Sequence, residues 1–279
     1  MERIREAVER VRSGNRPHER RCVDAPVKSP QQVELKAPRV AAQIPEIPEI
    51  PEIEASPARL HANRVVAFNG TDQRSRPYDM LRTQVLQSMA VAGWKILGMT
   101  SPSPGCGKTL TAVNLAFSIA RQSEQSVVLI DLDLQKPQIA TVLGLSFSGA
   151  GVLDYVEGRA ELTQITQSVR AGRQQITVYP TTPTTGSSEL MASRAMREFL
   201  QNVKKTYSSS TIIVDLPPIL TSDDVIAILP HIDCVLLVTA VGLSKVAQIE
   251  ECSRHLKSSH IVRVVVNKAT DPNANYTYY

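Results

Sequence analysis

From about Tyr78 onward, short continuous apolar runs alternate with stretches whose apolar positions recur every three or four residues. The apolar runs are rich in β-branched residues, which is typical of buried strands. Six strands are predicted in this way: KILGMTS, SVVLIDLD, QITVYP, STIIVDLPP, DCVLLVTA and IVRVVVNK. The longest intervening helices are predicted over Lys108–Arg121, Arg194–Thr206 and Ser244–Lys257. Buried strands separated by helices indicate an α/β domain with a doubly wound, mostly parallel sheet.

The N-terminal part of the chain lacks this alternation. Residues 1–12 have apolar positions at helical spacing, which fits either a short amphipathic helix or a frayed polar terminus. Residues 13–62 are rich in proline and polar residues and are predicted to be a largely disordered linker. Within this linker the repeat IPEIPEIPEIE has the three-residue period of polyproline II. That period favours a stiff spacer over a recognition strip.

The folded domain is predicted over residues 63–268, with a first helix at about Pro77–Ala90. Residues 269–279 follow the last strand and are predicted to be a flexible tail. The tyrosines of this tail are Tyr276, Tyr278 and Tyr279. Fully extended, the tail reaches on the order of 35 Å, which is enough to enter the active site of a neighbouring copy. The alternatives are a tail of no consequence and an aromatic end that docks on a partner.

Composition narrows the class of protein. With 279 residues, of which 42% are hydrophobic and 21% charged, the chain fits a soluble globular protein. Its net charge of +4 favours neither nucleic acid nor anionic lipid, and no nucleic-acid partner is predicted. The four cysteines form no C-x-x-C pair, which favours reduced thiols in the cytosol. The longest apolar run, CVLLVTAVGL, is about half a membrane span, so we expect a cytoplasmic protein that reaches the inner membrane only through a partner.

The strand KILGMTS leads into PSPGCGKTLTAVNLAFSIA, which has the order of a phosphate-binding loop: strand, glycine-containing loop, Lys-Thr, helix. The predicted nucleotide-binding residues of this loop are Gly105, Cys106, Gly107, Lys108, Thr109 and Leu110. Lys108 would reach the β- and γ-phosphates, and the Thr109 hydroxyl would bind Mg²⁺. Pro102 stands where the strict pattern has its first glycine, so the motif alone leaves a structural turn as the alternative.

Acidic residues end two of the predicted strands. Asp131 and Asp133 end one strand and Asp215 ends another, at the edge where open α/β sheets bind ligands. Three carboxylates beside a phosphate loop predict a Mg²⁺ site, since a hard cation prefers oxygen ligands. Taken singly, each aspartate could instead be a helix cap or a loop residue. Asn267 ends the last strand and is either a residue that binds the nucleotide base or an ordinary strand end.

Together these residues resemble the bacterial tyrosine autokinases (BY-kinases) of exopolysaccharide and capsule synthesis. The family's phosphate loop is matched by Ser101–Lys108, its Asp-x-Asp motif by Asp131 and Asp133, and its Asp-x-Pro-Pro motif by Asp215–Pro218. The segment SSELMASRAMREFL and the tyrosine-rich tail also look like this family, so the resemblance runs from about Tyr78 to the C-terminus. The opening MERIREAVERVRSG resembles stand-alone kinases associated with exosortase-type polysaccharide clusters.

The resemblance implies a P-loop NTPase of the deviant-Walker type that uses ATP and Mg²⁺ to phosphorylate its own C-terminal tyrosines in trans. It implies catalytic roles for Lys108, Asp131 and Asp133, and Asp133 would either draw the proton from the incoming tyrosine or hold the metal. The implied partners are further copies in a homo-oligomer and, as activator, a membrane-embedded polysaccharide chain-length or export protein. The implied function is regulation of exopolysaccharide or capsule synthesis and export.

Two motifs depart from the family's pattern. The family places arginine after Asp-x-Asp-x, where this chain has Gln135 followed by Lys136. An amide cannot replace a guanidinium at equal charge, so we expect weaker phosphate stabilisation or a contribution from Lys136. The family's ring-forming helix carries Glu-x-x-Arg-x-x-Arg, where this chain has Arg76, Asp79 and Arg82. The first two charges are inverted, which argues against a ring of the usual kind unless its contacts have inverted together.

The alternative function is a non-kinase P-loop ATPase switch or scaffold of the partitioning or positioning type. Proteins of that type carry a lysine early in the loop, in a Lys-Gly-Gly-x-Gly-Lys pattern. Here Ser103 and Pro104 occupy this part of the loop, so the signature lysine is absent from the sequence. The tyrosine-rich tail also favours the kinase. A scaffold that binds ATP and has lost catalysis is a third hypothesis, kept open by Gln135 and by the inverted charges of Arg76 and Asp79.

Overall fold

The computed structural model describes residues 50, 52–122, 125–146, 149–184, 187–257 and 259–269. The predicted N-terminal helix and the tail from residue 270 onward lie outside these residues. The strands are β1 (Glu52–Glu54), β2 (Ile96–Thr100), β3 (Val127–Asp131), β4 (Gln167–Ala171), β5 (Gln174–Tyr179), β6 (Thr211–Asp215), β7 (Cys234–Ala240) and β8 (Ile261–Asn267). The α-helices are α1 (Pro57–Ala62), α2 (Arg76–Ala92), α3 (Lys108–Ala120), α4 (Ile139–Leu143), α5 (Val152–Val156), α6 (Ser187–Met191), α7 (Arg194–Thr206), α8 (Asp224–Ile228) and α9 (Val246–His255).

These strands form one sheet in the order β1-β4-β5-β3-β6-β2-β7-β8. Neighbouring strands run parallel, except for the antiparallel pair β4 and β5. The six predicted strands are confirmed as β2, β3, β5, β6, β7 and β8. The predicted helices beginning near residues 77, 108, 194 and 244 are confirmed as α2, α3, α7 and α9. The mostly parallel α/β class is therefore correct.

Helices pack on both faces of the sheet. Successive residues of a strand point to opposite sides, so each central strand contributes to two cores. In β3, Leu129 packs into the core formed with α2 and α3, whereas Val128 packs into the core formed with α7. Ile213 and Ile212 of β6 divide between the same two cores. The apolar strands are thus continuous because both of their faces are buried. In the part of the chain that the structure describes, no helix has the length and apolar character needed to span a bilayer.

The domain begins earlier than predicted. β1 lies within the predicted linker and adds a parallel strand to β4, where Arg170 donates hydrogen bonds to the Glu52 carboxylate at 2.5 and 2.6 Å. Helix α1 follows, with Leu60 and the preceding Ala55 fully buried. The predicted boundary between residues 62 and 63 is therefore too late, because Glu52–Glu54 already form a strand of the sheet.

Helix α2 is fixed to α3 by a polar network around Asp79. The Asp79 carboxylate accepts hydrogen bonds from Ser118 Oγ at 2.6 Å and from Arg121 Nη1 at 3.0 Å. Arg82 of the same helix donates to the Ser118 carbonyl at 2.9 Å and lies 3.3 Å from Asp79. The aspartate that stands in place of the family's arginine thus has its charge partners within the same chain.

Replacing Asp79 by alanine is expected to lower the free energy of unfolding by about 2–3 kcal/mol, because the Ser118 and Arg121 donors lose their acceptor. Asp79→Asn keeps one acceptor oxygen and is expected to lose about half as much. Urea unfolding followed by circular dichroism measures both. Equal midpoints for the two variants and the unaltered protein would contradict a structural role for the network.

Candidate active site

The phosphate loop connects β2 to α3 and is shaped by two glycines. Gly105 has φ +82° and Gly107 has φ +90°, conformations that residues with a Cβ rarely adopt. Gly107 is the N-cap of α3, and no described side chain caps this helix. The first backbone N–H groups of α3 are therefore available to an anion, which the helix dipole also favours.

Lys108 is the first residue of α3 and is buried between carboxylates. Its Nζ lies 2.7 Å from Asp133 Oδ2 and 3.5 Å from Asp215 Oδ2. Burial by itself would lower the pKa of Lys108, but the charges of Asp215 and Asp133 outweigh it and leave this pKa raised. Lys108 is therefore a fixed cation, held by carboxylates at the base of the loop.

Thr109 and Asp215 meet beside this lysine. The Thr109 hydroxyl donates a hydrogen bond to Asp215 Oδ2 at 2.6 Å. Asp215 Oδ1 is buried and has no hydrogen-bond partner among the described residues. Burial raises the pKa of Asp215, against the charge of Lys108 and the hydrogen bond from Thr109. A buried carboxylate oxygen without a donor, next to a threonine hydroxyl, suits a hard hydrated cation such as Mg²⁺.

Asp131 and Asp133 have other partners. Asp131 Oδ2 accepts from the backbone N–H groups of Gln138 and Ile139, at 3.0 and 2.9 Å, and Oδ1 accepts from that of Asp133 at 3.2 Å. Burial and the neighbouring charge of Asp215 raise the pKa of Asp131 to about 8. Among the described residues, no three His, Cys, Asp or Glu side chains form a group that could hold a metal. The geometry thus favours Thr109 and Asp215 over a shell of three carboxylates, and metal binding by Asp131 and Asp133 stays a prediction.

A cleft of about 350 Å³ opens above these residues. Its lining includes Gly105, Gly107, Lys108, Thr109, Leu110, Asp133, Gln135, Lys136 and Pro217. Gln135 donates hydrogen bonds to Ser222 Oγ at 3.3 Å and to Asp224 Oδ2 at 3.4 Å, so its amide is held at the cleft wall. Lys136 is exposed at the same cleft, which places a second cation near the predicted phosphates.

Asn267 lies against the phosphate loop. Its Nδ2 donates a hydrogen bond to the carbonyl of Cys106 at 2.9 Å, and a Cβ added to Gly107 would lie 2.3 Å from the same nitrogen. The Cys106 side chain is fully buried, 3.5 Å from Ser244 Oγ. The Cys106 side chain therefore packs beneath the loop, and the hydrogen bond from Asn267 links the end of β8 to the loop. Binding of the base by Asn267 stays a prediction.

Comparison with known proteins identifies the family to which this fold belongs. A profile of the family described as ParA: NUBPL iron-transfer P-loop NTPase matches residues 94–269. The tyrosine-protein kinase EpsB of Ralstonia solanacearum is 32% identical over 202 residues, 71% of this chain and 26% of EpsB. The tyrosine-protein kinase YwqD of Bacillus subtilis is 27% identical over 226 residues, 80% of this chain and 93% of YwqD. The chain belongs to the ParA-type P-loop NTPases, and it is similar to bacterial tyrosine-protein kinases.

Solved structures of this family agree with the fold. The kinase domain of Escherichia coli tyrosine kinase ETK superposes with a TM-score of 0.63 at 25% identity, covering 75% of this chain and 81% of that domain. The match to EpsB covers 26% of that relative, so this chain spans about a quarter of its length. The match to YwqD, in contrast, covers nearly the whole relative. The family and its fold are therefore established for the region around the phosphate loop.

The sequence identified several of the residues that meet beside the phosphate loop, but not their pairing. Lys108, Thr109, Asp133 and Asp215 do lie together, as the sequence predicts for a phosphate loop beside aspartates that follow parallel strands. The direct contact between Lys108 and Asp133 was not predicted, although both residues belong to motifs that the sequence displays. The contact of Asn267 with the loop joins residues 161 positions apart, and no local pattern carries that information.

Proposed function

We propose that this protein is a Mg·ATP-dependent protein-tyrosine autokinase whose substrates are Tyr276, Tyr278 and Tyr279 of a neighbouring copy. The observation that carries the proposal is a buried Lys108 held between Asp133 and Asp215 at a glycine-shaped loop, in a chain that ends in a tyrosine cluster. The similarity of the chain to the tyrosine-protein kinases EpsB and YwqD supports the same activity.

ATP binding would exchange the partners of Lys108. Its Nζ moves from Asp133 to the β- and γ-phosphates, while the N-terminal amides of α3 bind phosphate oxygens. Thr109 and Asp215 would hold Mg²⁺, which when bound neutralises charge on the transferring phosphoryl group. Positioning and charge neutralisation supply most of what a loose phosphoryl transition state requires.

The exchange also frees Asp133 to act on the acceptor. A tyrosine hydroxyl has a pKa of about 10, so it needs help to lose its proton near neutral pH. Asp133, no longer paired with Lys108, accepts that proton as the phenolic oxygen attacks the γ-phosphorus. The bond from phosphorus to the β,γ-bridging oxygen breaks, ADP leaves, and phosphotyrosine is formed. Lys136, exposed at the cleft, supplies positive charge one residue after the position of the family's arginine.

The biological role proposed is control of exopolysaccharide or capsule synthesis and export. Each phosphorylated tyrosine adds about two negative charges, so a modified cluster would repel other tails and separate the copies. We propose that the protein works in the cytoplasm, as a homo-oligomer, and is activated by a membrane-embedded chain-length or export protein. Structures related below 25% identity, including a chimerical CapA2B2 protein, support the fold alone.

The proposal is tested with purified full-length protein, Mg·ATP and mass spectrometry of the C-terminal peptide. We expect phosphate on the tail tyrosines, and its disappearance in the Tyr276/Tyr278/Tyr279→Phe triple variant. Mixing that triple variant with Lys108→Ala protein, which keeps the tail, is expected to restore modification of the Lys108→Ala copies. Such complementation identifies transfer in trans. ATP binding without any tail phosphate would reject the kinase and favour a scaffold.

The partitioning-type ATPase is less well supported. It shares the fold, but its signature lysine is replaced by Ser103 and Pro104 at this part of the loop. ATP hydrolysis without tail phosphorylation is the outcome that would favour it.

A further inference from the structure

A second groove lies between α2 and the edge strand β8, and its lining includes Asn267, which contacts the phosphate loop. It has a volume of about 510 Å³. In the described part of the chain β8 is the last strand of the sheet, so its outer edge has no neighbouring strand. Met80 is 66% exposed here, and Val264 and Val266 are 48% and 61% exposed. Exposed apolar side chains along an open edge strand are typical of a surface that binds another chain.

The charge of this groove is one-sided. Among its described lining residues, Arg74, Arg263 and Lys268 are basic and none is acidic. Arg74 is paired with Asp72 at 2.7 Å, so Arg263 and Lys268 carry the positive charge that the groove offers. Arg263 is oriented by hydrogen bonds to Gln84 Oε1 at 3.2 Å and to the Val262 carbonyl at 2.7 Å. Tyr78 adds a half-buried aromatic ring. The surface thus suits a ligand that alternates apolar and acidic residues.

The IPE repeat, residues 44–52, has this composition. Each unit of the repeat has two apolar residues, isoleucine and proline, followed by an acidic glutamate. The three-residue period matches polyproline II, a conformation that docks into aromatic-lined grooves at little entropic cost. We propose that the IPE repeat of one copy docks into the α2/β8 groove of another copy.

The sheet topology requires this contact to be between copies. The repeat ends in β1, at one edge of the sheet, whereas the groove lies at the other edge, beyond β8. Seven strand spacings separate the two edges, on the order of 34 Å. In polyproline II the repeat spans only about 25 Å, so it cannot reach and fill the groove of its own chain. Segment and groove are different surfaces, so the contact is head-to-tail and builds a ring or an open chain of copies.

Charge reversal tests the contact by sedimentation velocity on full-length protein over a concentration series. Glu46→Lys/Glu49→Lys in the repeat, and Arg263→Glu/Lys268→Glu in the groove, should each weaken self-association at least about tenfold. Mixing the two variants should restore association, because a basic repeat then meets an acidic groove. The matched control is Arg197→Glu/Lys205→Glu, a double reversal on the exposed face of α7, which should associate like the unaltered protein.

Cross-linking locates the contact directly. A photoreactive phenylalanine analogue at position 47 is introduced into ¹⁵N-labelled protein, which is mixed with unlabelled protein and irradiated. We expect mixed-isotope cross-links to α2 and β8, near Met80 and Val264. Monomeric protein at every concentration, cross-links elsewhere, or cross-links within one chain would each overturn the proposal. So would an association that the repeat variant leaves intact but deletion of residues 270–279 abolishes, because the tail would then occupy the groove.

Discussion

Lys108→Met is expected to lower tail phosphorylation at least about a thousandfold, since it removes the buried cation that faces the transferred phosphate. It is also expected to destabilise the nucleotide-free protein, by about 3 kcal/mol, because Asp133 and Asp215 stay buried without their positive partner. Quantitative phosphotyrosine mass spectrometry measures the first effect. Urea unfolding in the absence of nucleotide measures the second.

A second substitution separates these two consequences. Lys108→Met/Asp133→Asn replaces the close pair by neutral groups of similar size, so we expect it to recover part of the lost stability but none of the activity. A single variant that stays as stable as the unaltered protein would show that the pair does not hold the loop. A double variant that regained phosphorylation would remove Lys108 from the mechanism.

Gly107→Ala is expected to weaken ATP binding at least about a hundredfold. An alanine at φ +90° costs about 1–2 kcal/mol, and its Cβ would lie 2.3 Å from Asn267 Nδ2. The loop must move or Asn267 must leave Cys106, and either change displaces the amides that bind phosphate. Titration calorimetry with a non-hydrolysable ATP analogue measures the loss.

Gly242 supplies the matched control for this glycine. Its φ is +76°, but an added Cβ would meet no described atom within 4 Å. Gly242→Ala therefore carries the backbone strain without the collision, and we expect ATP affinity close to that of the unaltered protein. Equal losses at the two positions would mean that strain alone, and not the contact with Asn267, decides the effect.

The sequence predicted the centre of the sheet better than its edges. The central strands are buried on both faces, so their continuous β-branched runs are visible without tertiary information. β1 has three residues, EIE, beside prolines, and its pairing with β4 depends on a contact 118 positions away, between Glu52 and Arg170. β4 reads QSVRA, too short and polar to stand out. Strands such as β1 and β4 form because a neighbouring strand pairs with them.

The site shows a similar division. The residues of the phosphate loop and the aspartates follow from motifs, because their chemistry fixes residue type and spacing. The partners of Asp79 do not, since Ser118 and Arg121 lie 39 and 42 positions further along. From the sequence alone, Asp79 appeared only as an inverted charge on a surface helix. In the fold it stabilises the packing of α2 on α3, which leaves it less free for contacts between copies.

The edge strand β1 has a practical consequence for the expression of this protein. A truncated chain starting at Asn63, where the sequence suggests a boundary, would lack β1 and α1. It would uncover the backbone of β4 and open the cavity now filled by Leu60 and Ala55. Such a fragment should aggregate and be cleaved by proteases more readily, however well its phosphate loop is preserved. A recombinant domain should therefore start before Glu52, so that the strand capping the sheet is kept.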